Sequence, residues 1–143
     1  MTIVKKIFTF FILFFVLNGS YIVRAYEDLD IPITADSRIR AYIYNPNEVY
    51  LLLLHFGFQS HIEFEKNEEI STISLGDSYA WKITPMGNRL FIRPMEKNIR
   101  TNMTIITNKR SYQFDLIAKE IDDEYESEDL VYLVRFVYPK KGK

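Results

Sequence analysis

Between Arg38 and Pro139 the chain is a series of short runs in which apolar and polar residues alternate, separated by polar punctuation. Arg38 to Tyr44 puts Ile39, Ala41 and Ile43 on one face and Arg38, Arg40, Tyr42 and Tyr44 on the other, because side chains alternate along a strand. Asn45-Pro46-Asn47-Glu48 is a turn signal: proline fixes φ and asparagine tolerates turn conformations. Val49 to Phe58 is apolar at nearly every position, which predicts a central strand buried on both faces, ended by Gly57. Phe58, Ser60, Ile62 and Phe64 then share a face opposite Gln59, His61, Glu63 and Glu65. Lys66-Asn67-Glu68-Glu69 breaks the pattern. Ile70, Thr72 and Ser74 oppose Ser71, Ile73 and Leu75; Gly76-Asp77-Ser78 turns again; Tyr79, Trp81 and Ile83 share a face. The stretch from Phe56 to Trp81 therefore predicts a buried meander at the spine of the fold.

The second half continues in the same style. Tyr79–Thr84 and Arg89–Arg93 predict strands around a turn at Pro85-Met86-Gly87-Asn88. Glu96–Arg100 is polar, with room for one short helical turn. Asn102–Ile106 and Arg110–Ala118 flank the tight Asn108-Lys109 turn and predict a hairpin, with Tyr112, Phe114 and Leu116 on one face. After an acidic stretch, Lys119 to Asp129, Leu130–Tyr138 predicts a last strand. Eight or nine short strands without a long amphipathic helix predict an all-β fold, an antiparallel β-sandwich. The 11 Phe, 10 Tyr and one Trp fit strand faces and need no ligand to explain them.

The first residues read differently. Lys5 and Lys6 precede the apolar run Ile7–Leu17, which is shorter than the ~20 residues a spanning helix needs. Val23-Arg24-Ala25 suits a signal peptidase, so cleavage is expected between Ala25 and Tyr26, with an uncleaved anchor as the alternative. The expected organisation is a signal peptide over 1–25, an extended arm over 26–37, the sandwich over 38–139 and a basic tail over 140–143. No cysteine stands at a lipidation position. Loss of 1–25 removes Lys5, Lys6 and Arg24 and no acid, leaving 15 basic and 19 acidic residues, a net charge of −4 against −1 for the whole chain. An acidic domain without a basic run argues against nucleic acid as partner. With no cysteine, thiol chemistry and disulfide staples are excluded.

Candidate chemistry is sparse. The two histidines, His55 and His61, with Glu63 and Glu65 nearby, make a thin zinc set. Ser60, Ser74, Ser78 and Asp77 supply the residue types of a hydrolase but no nucleophile-elbow pattern. Leu75-Gly76-Asp77 reads as a turn and not as a phosphate loop. Glu68-Glu69 reads as a solvated pair in a turn, and 122–129 as a solvated acidic loop. No cofactor-binding signature is present. Asn102-Met103-Thr104 matches a glycosylation sequon inside a predicted strand.

Several segments in order resemble one family: Tyr44-Asn45-Pro46-Asn47; Phe56-Gly57-Phe58 through Phe64; Ser74-Leu75-Gly76-Asp77 through Trp81; Asn88-Arg89-Leu90 through Pro94; Thr101-Asn102-Met103 through Thr107; Arg110 through Phe114; and Val134 through Pro139. This set is similar to the CagX/TrbG family, the ninth VirB product of type IV secretion systems, from about Asp36 to Pro139. Asn45, Pro46, Gly57, Gly76, Asp77 and Trp81 are the candidate motif residues. The resemblance implies a non-enzymatic periplasmic subunit of a ring-shaped core complex, without catalytic residues or cofactors. It implies as partners other copies of the family and the TrbI-like scaffold protein. The family's linker and C-terminal domain, which carries the surface for an outer-membrane lipoprotein, have no counterpart before Lys143, so that contact is not expected here. A shortened paralogue that joins or modulates the channel scaffold is expected. The competing expectations are a stand-alone periplasmic sandwich that binds a small ligand or acts as a chaperone, and, third, a hydrolase built on His55 or His61.

Overall fold

The alternating runs become nine strands in a computed structural model that describes residues 36–122 and 130–140. They are β1 (Ile39–Ile43), β2 (Val49–His55), β3 (Ser60–Glu63), β4 (Ile70–Leu75), β5 (Trp81–Met86), β6 (Arg89–Pro94), β7 (Ile99–Thr107), β8 (Ser111–Lys119) and β9 (Leu133–Val137). The first sheet has the order β1-β9-β3-β6-β5 and the second the order β2-β8-β7-β4. Alternation sorts β3, β6 and β8 cleanly. Leu90 and Ile92 of β6, Ile62 of β3 and Tyr112, Phe114 and Leu116 of β8 are buried between the sheets, and their neighbours face outward.

The all-β expectation holds; the pairing is mixed. β3·β6, β4·β7, β5·β6 and β7·β8 are antiparallel, while β1·β9, β2·β8 and β3·β9 are parallel. The cause is the path of the chain. From β1 to β5 it crosses to the other sheet at every connection, so strands adjacent in sequence do not pair. Their partners arrive later, from β6 to β9. The stretch Phe56–Trp81 is thus not a meander: β3 lies inside the first sheet and β4 at the margin of the second.

Other expectations need correction. β2 is an edge strand, not a central one, and it alternates: Tyr50, Leu52 and Leu54 are buried, but Val49 is 62% and Leu51 51% exposed. A sandwich has two layers, so the outward face of an edge strand has nothing above it. In β4 the register against β7 shifts between Ile70 and Thr72. This bulge at Ser71 brings Ile70 to the core side with Ile73 and Leu75, whereas plain alternation puts it opposite them. β5 runs on through Pro85 to Met86, because on an edge strand proline needs no ladder donor, and Gly87 (φ 58°) makes the tighter turn. Tyr79 precedes the strand and is 95% exposed. Residues expected as a helical turn before Ile99 are irregular, and Ile99–Arg100 belong to β7. β9 occupies only Leu133–Val137 of the predicted 130–138.

Phe136 of β9 is the hub of the core. Its ring lies 4.8 Å from Tyr50, 4.9 Å from Tyr112 and 6.1 Å from Phe114 of the second sheet, and 6.0 Å from Tyr42 of the first and from Phe64, so it contacts rings of both sheets. These offset and edge-to-face pairs add to the burial of the aromatics. The signal peptide with its Ala25–Tyr26 junction, the arm up to residue 35, residues 123–129 and residues 141–143 lie outside the described residues.

Candidate functional site

The motif positions hold turns, and they are dispersed. Asn45 opens the β1–β2 turn: its Oδ1 accepts the Asn47 N–H at 3.0 Å and its carbonyl the Glu48 N–H at 3.2 Å, with Pro46 between. The buried Tyr50 hydroxyl accepts the Asn45 N–H at 2.7 Å and clamps that turn. Gly57, at φ 87°, occupies the left-handed position of the turn closed by Phe58 N–H to His55 C=O at 3.1 Å. Gly76 lies against β7, where a Cβ would stand 2.6 Å from Asn102 Oδ1 and 2.8 Å from Thr101 Oγ1. Asp77 Oδ1 accepts the N–H groups of Tyr79 (3.0 Å) and Ala80 (3.3 Å), and so shapes the loop into Trp81, which is buried. No common site joins these six residues.

The hydrolase residues are not assembled either. Ser60 Oγ donates to the Val131 carbonyl, and Asp77 is engaged with its own loop. His61 lies on the outer face against Phe91, ring centroids 5.2 Å apart, and burial holds its pKa below the ordinary value. His55 is buried at the end of β2. Among the described residues no group of three or more His, Asp or Glu side chains is placed to hold a metal.

The structure does assemble a polar cluster that the sequence reading missed, around Glu68. This residue is 0% exposed, not solvated. The turn Glu65–Glu68 closes with Glu68 N–H to Glu65 C=O at 3.0 Å, and Asn67 takes the left-handed conformation (φ 64°) that asparagine tolerates. The turn is pinned to the β7–β8 hairpin by Asn108 N–H to Glu69 C=O and by Glu69 N–H to Asn108 Oδ1, both 2.9 Å. Glu68 thereby points between the sheets. Its Oε1 accepts the hydroxyls of Thr107 (2.6 Å) and Tyr112 (2.9 Å); its Oε2 accepts Arg110 Nη1 (2.7 Å). Arg110 also donates to Glu65 Oε2 at 2.9 Å, where Lys109 joins at 3.1 Å. The guanidinium lies 3.9 Å from the Tyr138 ring centroid and 5.4 Å from that of Tyr44.

The proton order follows from the partners. The Tyr112 hydroxyl gives its proton to Glu68, so in the 2.8 Å Tyr112–Tyr138 contact Tyr138 is the donor. Tyr138 in turn accepts the Glu65 N–H at 3.0 Å. Burial pushes the pKa of both phenols up, and for Tyr112 the neighbouring Tyr138 and Glu68 add to it. Both remain neutral donors. The hydrogen bonds from Arg110, and then from Lys109, hold Glu65 below the usual carboxylate range. For Arg110 burial opposes the charge, and Glu65 and Glu68 more than offset it. Both Glu68 oxygens are engaged by hydrogen bonds from Thr107, Tyr112 and Arg110, so the cluster is suited to holding parts together. It joins the turn after β3, the β7–β8 hairpin, β8 and the residue that follows β9. The signal for it was present in one respect: tyrosines at predicted inward strand positions need hydroxyl partners when buried.

Comparison with known proteins points the same way. The family described as CagX, conjugal transfer protein, matches residues 37–143. The type IV secretion system protein virB9 of Bartonella henselae is 35% identical over 116 residues, covering 76% of this chain and 40% of that protein. The type IV secretion system protein PtlF of Bordetella pertussis is 28% identical over 121 residues, 73% of this chain and 44% of its own length. Protein virB9 of Agrobacterium fabrum is 29% identical over 109 residues, 73% and 37% respectively. The chain thus spans about two fifths of the length of these relatives.

Proposed function

We propose, from the premise that this chain belongs to the CagX family of conjugal transfer proteins, that it is a non-enzymatic structural subunit of a type IV secretion core complex. The match over residues 37–143 carries the reading, because it spans both sheets and the Glu68 cluster. The dispersal of the motif residues into turns supports it: they shape a scaffold and converge on no reaction centre. In this role the sandwich packs against other subunits of the complex, among them copies of its own kind and the TrbI-like scaffold protein. We place the protein in the periplasm, exported by residues 1–25, with cleavage between Ala25 and Tyr26.

The Glu68 cluster has a place in this reading. It fixes the direction in which the backbone leaves β9, since Tyr138 is held by Glu65, Tyr112 and the Arg110 cation together. A scaffold domain that passes position from one part of an assembly to another needs such a rigid end. The test is recovery of the tagged chain from membranes in mild detergent, followed by native electrophoresis and mass spectrometry. Co-migration with secretion core subunits at high mass is expected. Recovery of the chain alone, as a monomer, overturns the proposal.

A further inference from the structure

The outer face of the first sheet carries charges that its own residues leave unbalanced. The register places Lys82 of β5 directly opposite Arg93 of β6. Like charges in such cross-strand pairs destabilise a sheet. Both are exposed, and among the described residues neither forms an ion pair. Two registers along, Arg89 and Arg135 share the single carboxylate of Glu63, at 3.1 and 2.9 Å. Four cations therefore meet one acid on this face, on a chain whose net charge is −1. Phe91 sits between Arg89 and Arg93 along β6, half-buried.

The open margin of the same sheet adds an anchor. β5 is its last strand, and the loop leading into β5 presents Tyr79, 95% exposed. That loop is held from both sides. Gly76 N–H donates to the Asn102 carbonyl at 3.1 Å, Asp77 N–H to Thr101 Oγ1 at 2.9 Å, and the Asp77 carboxylate caps Tyr79 and Ala80. An exposed aromatic on a preformed loop loses little entropy on binding. Tyrosine and arginine are also the residue types on which interfaces concentrate their energy.

We propose that this face, with Tyr79 at its margin, is a docking surface for an acidic, extended segment of a partner protein. Arg89 and Arg93, four residues apart on a strand, stand about 13 Å apart along it. A partner in extended conformation with acids at that spacing and an apolar residue between them matches both cations and the Phe91 ring. Acidic side chains there also relieve the Lys82–Arg93 opposition, so the occupied face is the electrostatically balanced one. The partner is a protein of the assembly, and in that respect the inference rests on the function proposed above.

The test uses the purified full chain in mild detergent and a fluorescein-labelled peptide of repeated Glu-Ser-Leu-Ser units, which puts Glu, Leu and Glu on one face of an extended chain, read by fluorescence anisotropy. Saturable binding that weakens with salt is expected. The double substitution Lys82→Glu and Arg93→Glu should weaken it at least ~10-fold, as loss of complementary charge does. Circular dichroism and melting show whether that variant is folded. Tyr79→Ala should weaken binding and leave its salt dependence unchanged. Unchanged affinity in the charge-reversed protein overturns the proposal. So does equal binding of a Lys-Ser-Leu-Ser peptide, or flotation with phosphatidylglycerol vesicles that the acidic peptide does not compete away. If the acidic peptide binds but the tagged chain recovers no secretion subunits, the proposed function fails and the docking surface stands. If subunits co-purify equally with the charge-reversed protein and the peptide does not bind, only the docking surface fails.

Discussion

On the outer face of the second sheet, Arg100 and Asp115 close on each other, Nε to Oδ1 at 2.9 Å, and Thr104 hydrogen-bonds Gln113 across the same strands. On the outer face of the first, Lys82 faces Arg93, and two further arginines compete for Glu63. Both faces obey the same alternation and cover the same core. Their polar residues differ in whether they are satisfied within the sheet. The second face is largely self-contained; its most exposed apolar residues, Val49 and Leu51, lie on the marginal strand β2, and Ile106 on β7 is exposed as well. The first leaves positive charge over. A solvated sheet face gains nothing from opposed cations, so the contrast separates a surface finished in itself from one finished by contact.

If the faces differ in what meets them and not in what holds them up, deleting the shared core must damage both alike. Phe136→Ala removes the ring that touches Tyr42 of the first sheet and Tyr50, Tyr112 and Phe114 of the second, and should cost about 3–5 kcal/mol. Hydrogen exchange should accelerate in β8 and β9 together; acceleration in β9 alone would mean that the sheets are separately stable. Glu68→Ala comes next. It strands Arg110 and frees two hydroxyls in the interior, and breaking such a buried pair costs about 3–5 kcal/mol as an upper range, less here because Arg110 keeps Glu65. Denaturant unfolding measures both.

The two sheets also show what could be read from residues alone. Alternation identified the inward residues of β3 and β8 correctly, because period-two patterning is a local property. It did not identify partners. Three parallel pairs arise because the chain crosses between sheets at each early connection, and nothing local to β2 announces that β8 will lie beside it. The run of leucines in β2 reads as doubly buried, yet Leu51 meets solvent because the sandwich ends there. The bulge at Ser71 shifts Ile70 by one residue, a change that hydrophobicity cannot show. Glu68 was misjudged for the same reason: its partners Thr107, Arg110 and Tyr112 lie 39 to 44 positions away, and only the fold brings them together. The turns at Asn45, Gly57 and Gly76 were legible because turn chemistry is local.

Alkaline pH sets the cluster apart from both faces. Tyr112 and Tyr138 have pKa values raised in the fold, so the stability they contribute is complete below the unfolded tyrosine value, about 10, and is lost as pH rises beyond it. Unfolding midpoints should fall on going from pH 9 to 11. In Tyr112→Phe the midpoint is lower at neutral pH, from the lost hydroxyl, and the alkaline fall is shallower. An alkaline fall of equal size in the variant would mean that the phenols outside the cluster carry it.

The smallest effects bear most directly on the two faces. Lys82→Glu turns a like-charge pair into an ion pair opposite Arg93 and should stabilise the isolated chain by roughly 0.2–1 kcal/mol. Asp115→Asn, on the other face, should lower stability slightly, since its partner Arg100 is solvated and screened. Opposite signs are the point. Native charges that weaken a lone domain are retained at no benefit to its fold, whereas the Arg100–Asp115 pair serves the sheet that carries it. If both substitutions lower stability, Lys82 and Arg93 are balanced within the chain and the first face is as complete as the second. If Lys82→Glu alone raises it, the residual positive charge is a property of the unoccupied face, and 0.5 M salt should erase most of the gain, because ions then screen what the substitution corrects.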